Sequence, residues 1–459
     1  MRKFFYIFSI ISLFIFAGFG CKGLSSSEQA AIAPVKLTYW TVFGNVEELQ
    51  KLAAVYKQMH PYVTIDIRQL RYEEFDKIFV NALADDVGPD IISMHTRWLG
   101  KYSNRLLSMP DSVKVANVMI QGKYQPQTIV TVEQNRMPTI DAIKSTYVAG
   151  VAEDVIVGGK VYGLPLTYDT LAILYNKDLL DKAGIPLPPS TWDELVTAVK
   201  KTTIYDKKGA IVQSGIAVGT GTNTDNVFDI LSALMLQNGV VMSAGNQVTF
   251  ARSLVQSATD QNPVLQSLRF YTDFARPTKE VYSWNDSFNN SMTEFARGKA
   301  AFAIGFAFDL ARVKKLSPQL TVNAVPLPQL NPTSPVNVAN YWVESVSKKT
   351  KHSDEAWDFI RFISSPDTIK RYSASLGVPS PLRVHIAAGK EDVVLSPFVS
   401  QILTAKNWYH GRDIDAATGA IKDLVIRYLA PYTDKESQNQ LERDRNLVLT
   451  AAAIIQQTF

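Results

Sequence analysis

One cysteine, Cys21, and five histidines (His60, His95, His352, His385, His410) are all this sequence offers for thiol or soft-metal chemistry. The histidines are scattered without metal-ligand spacing, and a single cysteine closes no internal disulfide. Phosphate-loop chemistry is not supported: Gly298-Lys299 is followed by Ala300, and Gly219-Thr220-Gly221 is an isolated glycine pair. Gly-x-Ser-x-Gly, His-Glu-x-x-His and calcium-loop patterns do not occur. No metal and no cofactor is therefore expected. Carboxylates are plentiful, and two of them meeting in space could act as the acid–base pair of a glycan hydrolase. Aromatic side chains offer another chemistry, since a flat ring presents an apolar face to the C–H face of a sugar at little entropic cost.

The chain that must position these groups has 459 residues, enough for about two domains. Hydrophobic residues are 46% and charged residues 20%, which excludes disordered and collagen-like chains. Lys plus Arg is 47 against 43 for Asp plus Glu, a net +4 that is nearly neutral at this length. No clustered basic face emerges, so no nucleic-acid partner is expected.

Arg2 and Lys3 precede an apolar run from Phe4 to Phe19, shorter than the roughly 20 residues of a permanent membrane helix. This is the form of a secretory signal peptide. Ala17-Gly18-Phe19-Gly20-Cys21 then resembles a bacterial lipobox, with Gly18 where the pattern has Leu. Cys21 is expected to carry lipid and to become the first mature residue. Cleavage as an ordinary signal near Gly20 or Ser25 is the alternative. Lys22 to Ala33 is small and polar, and reads as a flexible tether. The expected product is exported and held by acylated Cys21 on the outer face of the cell membrane or in the periplasm.

Beyond the tether, apolar residues alternate from Val35 to Phe43, recur at helical spacing from Val46 to Met59, and alternate again at Val63, Ile65 and Ile67. Strand, helix and strand in so short a span predict a βαβ unit and a parallel sheet. Phe75 to Leu83 predicts another helix and Asp90 to Met94 a short buried strand. Thr191 and Glu194 have the spacing of a capping box, and Ser353 is expected to cap the helix carrying Trp357. The Pro-rich stretch from Pro326 to Pro335 marks a connection between larger units.

Four blocks in order carry a resemblance. They are Leu37–Trp40 with His60-Pro61, Val63–Ile67 and Val87–Ile91; Gly158–Pro165 with Leu174–Leu179 and Pro189–Glu194; Phe295–Ala301; and Asp354–Trp357 through Gly377–Pro379. Together they resemble the bacterial extracellular solute-binding proteins of the family that contains maltose-binding protein. The resemblance implies an α/β, type II periplasmic-binding-protein fold, two hinge-linked lobes with a ligand cleft between them. Three chain crossings are placed near Asp169, Pro326 and Gly377. Behind a signal peptide (1–20) and tether (21–35), one lobe would combine 36–169 with 327–377, and the other 170–326 with 378–459. The implied function is a non-enzymatic, monomeric receptor that delivers a small solute, of carbohydrate class, to the permease subunits of an ABC importer.

Candidate cleft residues follow. Trp40 and Phe43 end the first strand, where a parallel sheet presents loops to ligand; Trp40 serves equally well as core, and Phe43 beside Gly44 is expected at the surface. Arg97 and Trp98 fall where the resemblance places an acidic and a basic ligand contact, an inversion that speaks against maltose itself. Arg97 is alternatively a solvated charge, or the anchor of an anionic or peptide ligand. By resemblance, Asp169 would accept ligand hydroxyls, with hinge or turn capping as its other reading, and Tyr168 shares its loop. Trp408 and Phe306 match positions of ring-stacking residues, and Trp284 and Trp342 lie in segments that suit the cleft.

Overall fold

The computed structural model describes residues 24–122, 127–256, 259 and 261–459, so the signal peptide and Cys21 lie outside it. The predicted opening unit is present. Strand β1 (Val35–Thr41) buries Leu37 and Tyr39 while Lys36 stays exposed, the period of two that one covered face dictates. The helix Val46–Met59 follows, its first turn capped by the Asn45 side chain on the Glu48 N–H, with Leu49, Leu52 and Tyr56 turned inward. It feeds β2 (Val63–Gln69), and the helix Tyr72–Ala84 feeds β3 (Ile91–His95).

Both β2 and β3 pair in parallel with β1, and the strand Trp342–Ser347 adds antiparallel to β3. The short β4 (Leu106–Leu107) completes that side, and Leu164–Pro165 pairs with the same strand. This first sheet buries the carboxyl side chain of Glu344. Glu344 accepts hydrogen bonds from the Tyr39 hydroxyl (2.5 Å) and the Ser93 hydroxyl (2.7 Å), and burial lifts its carboxyl to about 7. A long two-stranded ribbon, β5 (Ser112–Gln121) with β6 (Gln127–Arg136), stands off this lobe, its root packed on the helices Val46–Met59 and Ser353–Ile363.

A second sheet runs in the order Ile204–Tyr205, Ile211–Ile216, Ala300–Gly305, Ala172–Asn176 and Val322–Pro326. Ala172–Asn176 is buried throughout and antiparallel to both neighbours. The chain therefore leaves the first sheet at Pro165 and enters the second at Ala172, then leaves the second at Pro326 and returns at Trp342. Between the sheets lies a three-stranded bridge of Asp169–Thr170, Asn337–Asn340 and Ala405–Lys406. The Asn337 amide ties it further, donating to the Leu171 carbonyl (2.9 Å) and accepting from the Leu171 N–H (3.2 Å).

Two local expectations change. Thr191 and Glu194 form their capping box, but Ser353 is the first helical residue and His352 occupies the cap position without a side-chain bond. The tether is shorter than its composition suggests. Ser26–Ala31 is helical, started by a capping box of Ser25 and Glu28, and Leu24, Ala31 and Ile32 pack on the core. Three apolar contacts and a satisfied cap outweigh the polar composition that predicted coil.

Candidate functional site

The C-terminal ends of β1 and β3 carry an aromatic wall. Phe43, just beyond β1, is 43% exposed, with the rings of Trp342 and Tyr72 at 5.5 and 6.3 Å. Facing it at 5.6 Å is Phe308, from the first turn of the second lobe's helix Ala307–Leu316. Trp98 is sandwiched by Phe75 (4.6 Å) and Tyr72 (5.2 Å) and meets Trp342 edge-on at 5.2 Å. Among the described residues, the indole N–H groups of Trp98 and Trp342 have no hydrogen-bond partner. An aromatic ring with a free donor at its edge suits an occupant that is apolar on one face and hydroxylated at its rim.

His95 braces this wall without carrying charge. Its Nδ1 accepts the Arg97 N–H (3.2 Å), which leaves Nε2 as the protonated nitrogen that donates to Asn340 Oδ1 at 2.8 Å. Burial, and then the Arg97 guanidinium, push its pKa down to about 3.

Beside the wall lies a polar junction centred on Arg97. This side chain is buried and paired with Asp229 of the helix Val227–Gln237, across the cleft. It also donates to the Ala339 carbonyl (3.1 Å) and Asn407 Oδ1 (3.3 Å), and its guanidinium lies 5.2 Å over the Phe228 ring. Asn407 in turn donates to Asp154 (2.7 Å), which accepts the Tyr341 hydroxyl (2.5 Å) and whose carboxyl burial raises. A second crossing of the cleft is the Tyr72 hydroxyl, donating to Asp415 at 3.1 Å.

The remaining candidates are not brought to the wall. Trp408 is buried, stacked on Phe228 (5.3 Å), with its indole N–H donated to Ser232 (2.8 Å). Trp284 is fully buried, stacked on Phe288 (4.5 Å) and bonded to Asn223 (2.9 Å). Both rings have spent face and edge inside the second lobe, which corrects their assignment to ligand. Asp169 is corrected as well. Its carboxylate accepts the N–H groups of Thr170, Ala307 and Phe308 (2.8, 2.9 and 2.9 Å), closing the open amides of a helix N-terminus. Burial nevertheless lifts its pKa to about 7.

Phe306, buried, is the cap residue of that same helix. Tyr168 is fully buried in the bridge, donating to the Ala405 carbonyl at 2.7 Å. Trp40 is buried on β1 under the Arg68 guanidinium at 5.3 Å, which favours its core reading. Thus Phe43, Trp98, Trp342 and Arg97 converge, and the others support them from behind.

Four contributors were missed in the sequence: Tyr72, Phe308, Asp229 and Asn407. Asp229 had a legible signal. It stands in Val227–Gln237, apolar on nearly every face, where a carboxylate must find a partner. A cavity of about 690 Å³ lies away from this site, between Met109, Arg136 and Lys160 at the root of the ribbon, and none of the wall residues borders it.

The sequence profile of the bacterial extracellular solute-binding proteins matches residues 51–393, and the chain belongs to that family. The multiple sugar-binding protein of Streptococcus mutans is 26% identical over 56% of this chain and 59% of its own length, so the match spans under two thirds of that relative. In fold, the chain is similar to the cyclic alpha-maltosyl-1,6-maltose binding protein of Arthrobacter globiformis (TM-score 0.67, 16% identity, 93% of this chain and all of that one). It is equally similar to a Mycobacterium tuberculosis protein solved with glycerophosphocholine (TM-score 0.68, 15% identity, 93% of this chain and 99% of that one). The type II periplasmic-binding-protein fold expected from the sequence is the one present.

Proposed function

We propose that this protein captures a neutral mono- or oligosaccharide between its lobes and delivers it to the permease of an ABC importer. The observation that carries this reading is the wall itself: Phe43, Trp98 and Trp342 on one lobe, Phe308 on the other, with two unpaired indole donors among them. The Streptococcus and Arthrobacter relatives, named for sugars, support the same class. The lobes hinge where the chain passes near Asp169, Pro326 and Gly377, and the receptor works as a monomer held to the membrane through acylated Cys21. Binding without turnover is supported by the engagement of Asp229 with Arg97 and of Asp154 with Tyr341 and Asn407.

An anionic ligand anchored by Arg97 is the second reading, favoured by the glycerophosphocholine neighbour. Asp229 already neutralises that guanidinium, so an anion would have to displace it. Thermal melting against a panel of neutral saccharides and of phosphodiesters separates the two, because a ligand of the native state raises the melting temperature. A shift with saccharides, and no release of reducing ends, is expected. Shifts confined to phosphodiesters would replace the first reading with the second, and released reducing ends would make the protein a hydrolase. Cys21→Ala should free the protein from membranes or leave it unprocessed; processed, membrane-bound Cys21→Ala protein would end the lipid-anchor reading.

A further inference from the structure

We infer that Gly100 is a positioning residue for ligand capture: its missing side chain lets the two lobes meet backbone to backbone, and so sets how closely Phe308 is brought to Phe43. The inference rests on the reading of the protein as a clamp that captures a saccharide between its lobes. Gly100 lies in the short helix Leu99–Tyr102 of the first lobe, three residues after Arg97. Across from it are the carbonyls of His410 and Gly411, in the loop that follows Trp408 in the second lobe. A Cβ on Gly100 would stand 2.7 Å from the His410 carbonyl oxygen and closer still to that of Gly411. Both approaches fall well inside van der Waals contact, so even one methyl group forces something to move.

Neither local backbone is free to yield. Leu99 and Tyr102 are buried in the first lobe, and the Tyr102 ring meets Phe79 edge-on at 5.2 Å. Gly411 is backed by Tyr409 and Thr458: a Cβ there would stand 2.6 Å from the Tyr409 ring and 2.7 Å from the Thr458 carbonyl oxygen. The Tyr409 hydroxyl donates to the Thr458 hydroxyl (2.8 Å) and accepts the Asp413 N–H (2.9 Å), which holds the loop against its own lobe. What remains is for the lobes to part. Gly100 sits at the exposed rim of a seam in which Asn407 donates to the Thr96 hydroxyl (3.2 Å), Arg97 pairs with Asp229, and the Tyr72 hydroxyl reaches Asp415 (3.1 Å). A side chain at the rim enters as a wedge, and Phe308 withdraws from Phe43 with its lobe.

The helix makes the opposite demand. Gly100 is not among the glycines with positive φ, so its backbone accepts alanine, which ordinarily stabilises a helix. A glycine of local consequence alone would give an alanine variant of equal or higher stability and unchanged affinity. Gly419, exposed in the helix Ile414–Leu429 with nothing within 4 Å of its Cβ position, is the control for that case.

Gly100→Ala, Gly100→Val and Gly419→Ala are made in a full-length parent carrying Cys21→Ser. For single-molecule energy transfer, dyes are attached through Val87→Cys on the first lobe and Leu187→Cys on the second, both exposed positions. Calorimetric titration with glucose, galactose, sucrose and cellobiose is run beside urea unfolding. Gly100→Val should weaken saccharide binding roughly tenfold or more, and Gly100→Ala less, as the fraction of molecules able to close falls. Both should deplete the transfer population that saturating sugar produces in the parent, at an unchanged urea midpoint, while Gly419→Ala should match the parent. Gly100→Val protein with the parent's affinity and transfer distribution overturns the inference and leaves the saccharide reading intact. Weaker binding that tracks a lowered urea midpoint, with the closed population kept, assigns Gly100 to fold stability and also overturns it. A parent that binds none of the sugars speaks against the saccharide reading instead; the seam then stands if Gly100→Val shifts the parent's own transfer distribution and falls if it does not.

Discussion

Trp342 and Trp408 are the same residue type in two regions with opposite economies. Trp408 has stacked its face on Phe228 and given its N–H to Ser232, so nothing is left to offer a ligand. Trp342 touches Phe43, His95 and Trp98 by edges, is only partly buried, and keeps its N–H unpaired among the described residues. Ring type alone therefore does not mark a binding residue. What separates the regions is whether the fold has already satisfied both the face and the donor.

The strongest break of this comparison is Trp408→Ala. It should cost about 3–5 kcal/mol of stability, as large aromatic truncations in cores do, with little change in saccharide affinity in protein that remains folded. Urea unfolding beside calorimetric titration reads both, and a stable variant with lost affinity would return Trp408 to the ligand. Asp229→Asn comes next, at about 3 kcal/mol, because Arg97 would keep a buried charge without its partner. A midpoint unchanged in urea would show that the junction carries no such load.

The third test concerns protons. Glu344 and Asp169, both lifted to about 7, hold protons in the folded chain that the unfolded chain has released above about pH 4.5. The unfolded state then binds fewer protons, so stability falls as pH rises from about 4.5 to 7, by on the order of 2–3 kcal/mol for Glu344. Glu344→Gln should flatten that slope in urea midpoints taken at pH 5 and 7. The wall should behave differently: with His95 neutral down to about pH 3, its part in affinity should be level from pH 5 to 8. A binding transition near pH 6 would contradict that. Smallest is Trp342→Ala, with a loss of roughly 1–3 kcal/mol in affinity at nearly unchanged apo melting, from the contact area and donor it removes.

Much of the architecture was legible because it rests on local periodicity. Leu49, Leu52 and Tyr56 announce their helix, and Val63 to Ile67 their strand, whatever surrounds them. Phe43, Arg97 and Trp98 were reachable for a related reason, since strand ends in a parallel sheet are where ligands sit. Phe308 and Asn407 were not, because they meet the wall and the junction only after the lobes come together. Asp169 misled for a physical reason. A carboxylate beside a cleft looks the same in sequence whether it awaits a hydroxyl or seals the Ala307 and Phe308 amides.

The bridge between the sheets changes how closure must be pictured. Asp169–Thr170 and Ala405–Lys406 are laddered to Asn337–Asn340, and the Asn337 amide imitates a missing strand by bonding both backbone groups of Leu171. Such a joint does not swivel on loose loops. Any relative movement of the two sheets would have to strain these ladder and Asn337 hydrogen bonds together, as bending strains every layer of a leaf spring.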